Sequence, residues 1–435
     1  MERESALRTP DLVLGSLPET YTAGVDASRL QRWPLPASRE RVAHTAADTL
    51  VLDTLAGWEE MGRASGALTV LNDQHGAVAL PVLAARGAGG ADGDMSTGSY
   101  TVRVGVDEAS AARSIRANAE RLGLAEPDVM GVTAEALAGA RTVLLSLPRS
   151  LAALDFYAGL IATHADPDVL VLAAGRDKHM TPSMNEVLSR WFGEVLAGRG
   201  RSKSRVLTAV RPRRGRAVPG QTQRSHRLEG IGDLVLSAGP LTFGGPGIDP
   251  GTRRLVGALA QRRPDLPAVG ERAVTTASGL RVTVPTPAPE LTADVLDLGC
   301  GNGLLTLAAA RLWPQARILA SDHSADAVAS TRATAELNGV GDRVHVQHDD
   351  AAASVPEHSV RVVLLNPPFH DGTAVDASVG QRLIREAGRV LVPGGSLWCV
   401  VNAHLNPRPL VESAVGPTRQ VLRDRSFVVL HATAR

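Results

Sequence analysis

The stretch DVLDLGCGNGLLTLAAARL, residues 294–312, changes character half-way along. It starts as a short apolar run, the pattern of a strand buried on both faces of a parallel sheet. Gly299, Gly301 and Gly303 follow at every second position and let the backbone turn sharply and come close to a ligand. The Leu/Ala-rich remainder reads as a helix. Strand, glycine turn and helix open a doubly wound α/β unit, whose ligands bind at the carboxyl edge of the sheet where the strand order reverses. A tight βα turn with no ligand is the plain alternative. Asp297, just before the glycines, argues for more: its carboxylate can accept from an ammonium or a backbone N–H, and would repel the pyrophosphate of a dinucleotide.

Three further strand ends follow downstream. ARILASD ends in Asp322, an acid suited to the two hydroxyls of a ribose. Alone, it could equally be the N-cap of the helix SADAVAS. RVHVQHDDA ends in Asp349 and Asp350, either of which could meet the exocyclic amine of an adenine. A cationic amino-acid moiety, a ribose and an adenine together describe S-adenosylmethionine. The fourth apolar run enters NPPFHDG, residues 366–372. Neither Pro367 nor Pro368 has an N–H for a sheet ladder, so the strand ends at Asn366. The stiff turn then presents one amide, one aromatic ring (Phe369) and a row of carbonyl oxygens. It is either a rigid corner or a seat for something flat and polar. His370 either hydrogen-bonds a bound base or fixes the turn.

The strand–helix alternation occurs twice, which predicts two α/β domains with parallel, doubly wound sheets. VDEASAARSIRANAERLGL (106–124) lies over SDHSADAVASTRATAELNGV (321–340), pairing Asp107 with Asp322 and Arg116 with Arg332. ARTVLLSLPR (140–149) lies over VRVVLLNPPF (360–369), and LTVLNDQHG (68–76) over ADVLDLGCG (293–301), which pairs Asn72 with Asp297. Three matches in one order at similar spacing indicate a duplication. The first copy keeps one glycine of the loop and has Ser-Leu-Pro-Arg where the second has Asn-Pro-Pro-Phe, so the first is read as degenerate. Residues 1–40 read as a polar, proline-broken arm, 41–215 as the degenerate domain and 216–435 as the working one. Residues 199–216, RGRSKSRVLTAVRPRRGR, hold eight Lys/Arg and no acid. Such a run is either a solvated linker or a phosphate-binding segment.

Composition excludes several classes. With 46 Lys+Arg against 45 Asp+Glu, global charge does not decide for nucleic acid. Two cysteines, Cys300 and Cys399, cannot build a disulfide framework or a Cys-rich metal site, so no metal and a reducing cytoplasm are expected. The charged start MERESALRTPDL has no apolar core for a signal peptide, and no run of apolar residues suits a membrane span.

Together, DLGCGNG, NPPFHDG, FGGPGIDPGTRRL (243–255) and VVNAHLNP resemble the RsmC/RlmG family of ribosomal RNA guanine-N2 methyltransferases. AADTLVL and GRDKHMTPSMNEVLSRWFG (175–193) resemble its N-terminal half, and the likeness spans most of residues 40–435. The resemblance implies two tandem Rossmann-like class I methyltransferase domains, the N-terminal one inactive. It implies S-adenosylmethionine as cofactor, held by Asp297, Gly299, Gly301, Gly303, Asp322, Asp349 or Asp350, and Asn366. The expected substrate is ribosomal RNA, free or in a subunit. Asn366 and the Pro367 carbonyl would accept the two N–H bonds of a guanine N2, and Phe369 would stack on the base, a contact worth about 1–3 kcal/mol. A duplicated chain of this kind is expected to act as a monomer. Open alternatives are methylation of a protein glutamine or of adenine N6, and a non-catalytic RNA-binding assembly factor.

Overall fold

The computed structural model describes residues 25–35, 42–88, 102–262, 264–267, 271–275, 281–285, 290–368 and 377–435. Phe369 and His370 lie outside them. The chain divides into two compact units, Met1–Gly220 and Gln221–Arg435.

In the first unit the strands are β1 (Leu68–Leu71), β2 (Val102–Gly105), β3 (Asp128–Met130), β4 (Thr142–Ser146), β5 (Leu170–Arg176), β6 (Phe192–Ala197) and β7 (Ser204–Pro212). They form one sheet of order β3-β2-β1-β4-β5-β7-β6, parallel up to β5, with β7 antiparallel to both β5 and β6. The second unit opens with two antiparallel hairpins, β8 (Thr222–Leu228) with β9 (Gly232–Ala238), and β10 (Glu271–Thr275) with β11 (Arg281–Pro285). Its main sheet uses β12 (Ala293–Leu298), β13 (Ile318–Asp322), β14 (Val344–His348), β15 (Val360–Leu365), β16 (Leu391–Asn402), β17 (Thr418–Arg423) and β18 (Phe427–Thr433). The order is β14-β13-β12-β15-β16-β18-β17, the same succession with the same antiparallel end.

The central strands are buried on both faces. Leu296, Leu298, Val363 and Leu365 pack into one apolar cluster; Val295, Val362 and Leu364 pack into another with the helix Leu304–Leu312. That helix is covered along its length, from Leu304 to Ala310, which is why its sequence shows no polar face.

Two expectations need correcting. The basic run is no linker, because Ser204–Pro212 is strand β7. Several of its arginines are bound within the first unit: Arg201 pairs with the buried Asp53, Arg211 with Glu194, Arg214 donates to the Ala165 carbonyl, and Arg216 stacks on Trp191. The pairing of the two copies also shifts. Sheet register places Leu71 against Leu145 and Leu298 against Leu365, so Asn72 corresponds to Gly299 and Val70 to Asp297. Glu108 precedes its helix as Ser324 precedes the equivalent one, so Val106, rather than Asp107, stands in the place of Asp322. Arg116 and Arg332 do correspond, and they make the same bond. Each donates to a carbonyl of the outermost parallel strand, Val129 at 3.0 Å and Val346 at 2.7 Å.

Candidate active site

The carboxyl edge of the second sheet gathers Asp297, the three glycines, Asp322, Asp349, Asp350 and Asn366. Gly299, Gly301 and Gly303 have φ of +84°, +54° and +82°, the left-handed region that glycine adopts without penalty. A Cβ on Gly299 or Gly301 would project into open space above the loop; one on Gly303 would press on Thr331, 3.1 Å from its Cα. The first two glycines therefore keep a cradle clear, and the third lets the loop lie on the next helix.

Asp322, almost fully buried, ties that cradle together. Its Oδ2 accepts from the Gly301 N–H (2.9 Å) and its Oδ1 from the Ser324 N–H (3.0 Å). The N-cap of the helix Ala325–Leu337 is Ser324, so Asp322 is not its cap. Asp297 behaves differently from the sequence reading. It has no exposed surface, and its Oδ2 accepts from the Thr306 hydroxyl at 2.6 Å. Burial pushes its pKa up to about 7, the Thr306 bond opposes the shift, and the nearby Asp322 adds to it. Asp297 thus braces the start of the helix from beneath instead of facing a ligand. Its Oδ1 is a buried acceptor with no hydrogen-bond partner among the described residues.

At the end of β14, Asp350 is buried and holds Arg382 through both carboxylate oxygens, at 2.6 and 3.0 Å. Asp349, half-buried, accepts from the Asp350 N–H (2.8 Å) and from Ser354 N–H and Oγ (2.9 and 2.8 Å). Burial pushes the Cys300 thiol well up and the Cys399 thiol up to about 12, so neither is a nucleophile.

Asn366 stands one residue past the Leu298–Leu365 pair, beside the glycine loop. Its Nδ2 donates to Asp249 Oδ1 and to Thr252 Oγ1, both at 2.8 Å. These partners, on the segment FGGPGIDPGTRRL, had no assigned role in the sequence. The same segment is fastened to the cradle: Asn302 Nδ2 donates to the Gly245 and Gly247 carbonyls at 2.9 and 2.8 Å. Asp326 holds it from the other side, accepting from the Leu241 N–H and the Thr242 hydroxyl at 3.0 and 2.6 Å. Phe243, 71% exposed, sits on the loop so held. The pattern Asp-x-x-Thr at a helix start was the one signal in the sequence for this clamp.

The first unit lacks the equivalent machinery. Val70 and Val106 replace the two acids, and Ser146 replaces Asn366. The loop N–H groups of residues 75–79 are all taken by the Asp73 carboxylate, in five bonds of 2.9–3.2 Å. A loop whose donors are satisfied by its own side chain has nothing left for a ligand.

Comparison with known proteins adds the family. Residues 274–431 match the Methyltransferase small domain model, and residues 19–213 match the RLMG N-terminal domain model. A protein of Alcanivorax borkumensis named Ribosomal RNA large subunit methyltransferase G is 30% identical over 409 residues, covering 92% of this chain and 93% of that one. The chain belongs to the ribosomal RNA large subunit methyltransferase G family. A Streptomyces coelicolor relative of the same name is 30% identical, covering 93% and 97% of the two chains. The solved structure of the T. Thermophilus 16S rRNA N2 G1207 methyltransferase (RsmC), in complex with AdoMet and guanosine, is 21% identical with a TM-score of 0.67 and covers 94% and 99%. It shares the fold of this methyltransferase G family member. Among the described residues no helix is long and apolar enough to cross a membrane, and no acid, His and Cys cluster could hold a metal.

Proposed function

We propose that this chain transfers a methyl group from S-adenosylmethionine to the exocyclic N2 of a guanine in the RNA of the large ribosomal subunit, in the cytoplasm. The observation that carries the reading is Asn366, beside the glycine cradle, its amide nitrogen bound on both N–H bonds and its oxygen bound by no donor among the described residues. The cradle fits S-adenosylmethionine: open space stands over Gly299 and Gly301, Asp322 lies at the edge for a ribose, and either Asp349 or Asp350, the latter also holding Arg382, stands at the next strand end for an adenine. When bound, that cofactor would supply an electrophilic methyl on a sulfonium and, as the S–CH3 bond breaks, leave as the neutral thioether.

The protein's task is placement. The Asn366 oxygen and the Pro367 carbonyl each accept one N–H of the guanine amine. They hold its lone pair out of the ring plane and aligned for attack. Positive charge grows on N2 as the new C–N bond forms, and the two oxygens lower its energy; the surplus proton then leaves to water. Positioning of this kind is worth several kcal/mol, on the order of 7–11 in well-oriented systems. Phe369 stacks on the base. A paired guanine must first flip out, at a cost of about a few kcal/mol.

The first unit binds the RNA. Arg149, Arg176, Lys178 and His179 gather at the carboxyl edge of its sheet, where the retired site would have been. Arg199 and Lys203 lie in the adjoining β6–β7 connection, whose Lys203 carbonyl accepts from the Asp177 N–H at 2.9 Å. Arg149, Lys178, Arg199 and Lys203 make no ion pair among the described residues, whereas Asp177 is 3.5 Å from Arg205. The His179 pKa is lowered by burial and by the charges of Arg149, Lys178 and Arg176. Basic side chains with few acids among them suit phosphate contacts.

The test of the catalytic reading is Asn366→Ala. Transfer falls by at least about a hundredfold, while calorimetric affinity for S-adenosylmethionine stays within a few-fold. Turnover at the native rate would remove Asn366 from the mechanism.

A further inference from the structure

An asparagine amide has nearly the same shape either way round, yet a half-turn about its last bond exchanges an acceptor for a donor. A donor aimed at the target amine would meet its N–H bonds head-on and spoil the site. We propose that Asp249 and Thr252 are positioning residues that lock the Asn366 amide with its oxygen toward the substrate, so that the site takes only a nitrogen bringing two N–H donors. The inference rests on the reading of Asn366 given above.

The geometry divides the work between the two partners. Asp249 Oδ1, at 2.8 Å from Asn366 Nδ2, is the group that sets the sense of the amide. A carboxylate has no proton to give, so a reversed amide would turn its oxygen onto another oxygen. Thr252 Oγ1, also at 2.8 Å, takes the second N–H and fixes the plane of the amide. A hydroxyl could rotate to donate instead, so it cannot set the sense by itself. Both partners belong to one rigid feature. Asp249 Oδ1 also accepts the Thr252 N–H at 2.7 Å, and the Asp249 carbonyl accepts from the Arg253 N–H at 2.9 Å, at the start of the helix Pro250–Arg262. The Asn302 and Asp326 bonds keep the preceding loop from carrying that helix start away. The clamp also explains a chemical preference. With both amide N–H bonds consumed, Asn366 itself presents only an acceptor to the target, which favours an exocyclic amine over a ring nitrogen that itself needs a donor.

The test compares Thr252→Val, Thr252→Ser, Asp249→Ser and Asn366→Ala as full-length chains, by single-turnover methyl transfer, cofactor affinity and melting temperature. Thr252→Val keeps the shape and loses the oxygen. Asp249→Ser keeps a helix-capping hydroxyl but is too short to reach Asn366. We expect both to slow transfer by about ten- to a hundredfold with cofactor affinity unchanged, and Thr252→Ser to recover most of the rate. Native transfer rates in Thr252→Val and Asp249→Ser, with Asn366→Ala inactive, would overturn the clamp and leave Asn366 in place. Equal slowing in Thr252→Val and Thr252→Ser, matched by equal loss of melting temperature, would reduce the pair to a structural role. A fully active Asn366→Ala would overturn the underlying reading, and the clamp with it.

Discussion

A carboxyl with no exposed surface is an expensive way to brace a loop, and Asp297 carries that burden. Its proton is held to about pH 7 in the folded chain, against 3.8 for an ordinary aspartate. The folded state therefore binds more protons than the unfolded one between those values. The stability linked to this group is fully present below about pH 4 and is lost as pH rises through about 7. Asp297→Asn keeps an acceptor for Thr306 and removes the titration. Melting of the cofactor-free chain at pH 5 and pH 8 should show a smaller drop for the variant than for the native protein. Equal drops would contradict the assignment. The type of residue at 297 was legible in the sequence, because a carboxylate before three glycines is specific. Its direction was not, since the partner that captures it, Thr306, is nine residues on and looks like any helix threonine.

At the level of elements, both copies of the sheet were readable from their apolar runs, because parallel strands buried on two faces leave near-continuous Val/Leu stretches. Register was less accessible. A two-residue shift moved Asn72 onto Gly299, since the glycine turn of the first copy is rebuilt around Asp73 rather than merely worn down. Strand β7 was concealed by the arginines in and around it, whose charge suggested solvent although Arg201 and Arg211 are spent on internal pairs. On the proposed reading, RNA meets the edge that carries Arg149 and Lys178. Reversing both to Glu should raise the KM for RNA at least tenfold. It should also flatten the salt dependence of RNA binding, by about 0.7–0.9 in log–log slope for each phosphate that the protein no longer neutralises. The kcat and the cofactor affinity should stay as they are. Arg141→Gln, before β4 at the opposite edge of that sheet, should change none of these. An unchanged salt slope in the double variant would move the RNA path elsewhere.

For the whole molecule, the proposed reading gives the two copies of the fold different tasks. The second unit keeps the acids, the glycines and the clamped amide. The first has exchanged the same positions for Val70, Val106 and Ser146 and closed its loop with its own carboxylate. The central claim is that the clamped Asn366 positions a guanine amine of large-subunit RNA for methylation. Its most direct test is transfer from labelled S-adenosylmethionine to large subunits, small subunits and the deproteinised RNA of each, taken from cells lacking this protein. The expected result is label in large-subunit RNA, released as N2-methylguanosine on nuclease digestion. Label in protein, in methyladenosine or in small-subunit RNA would contradict it.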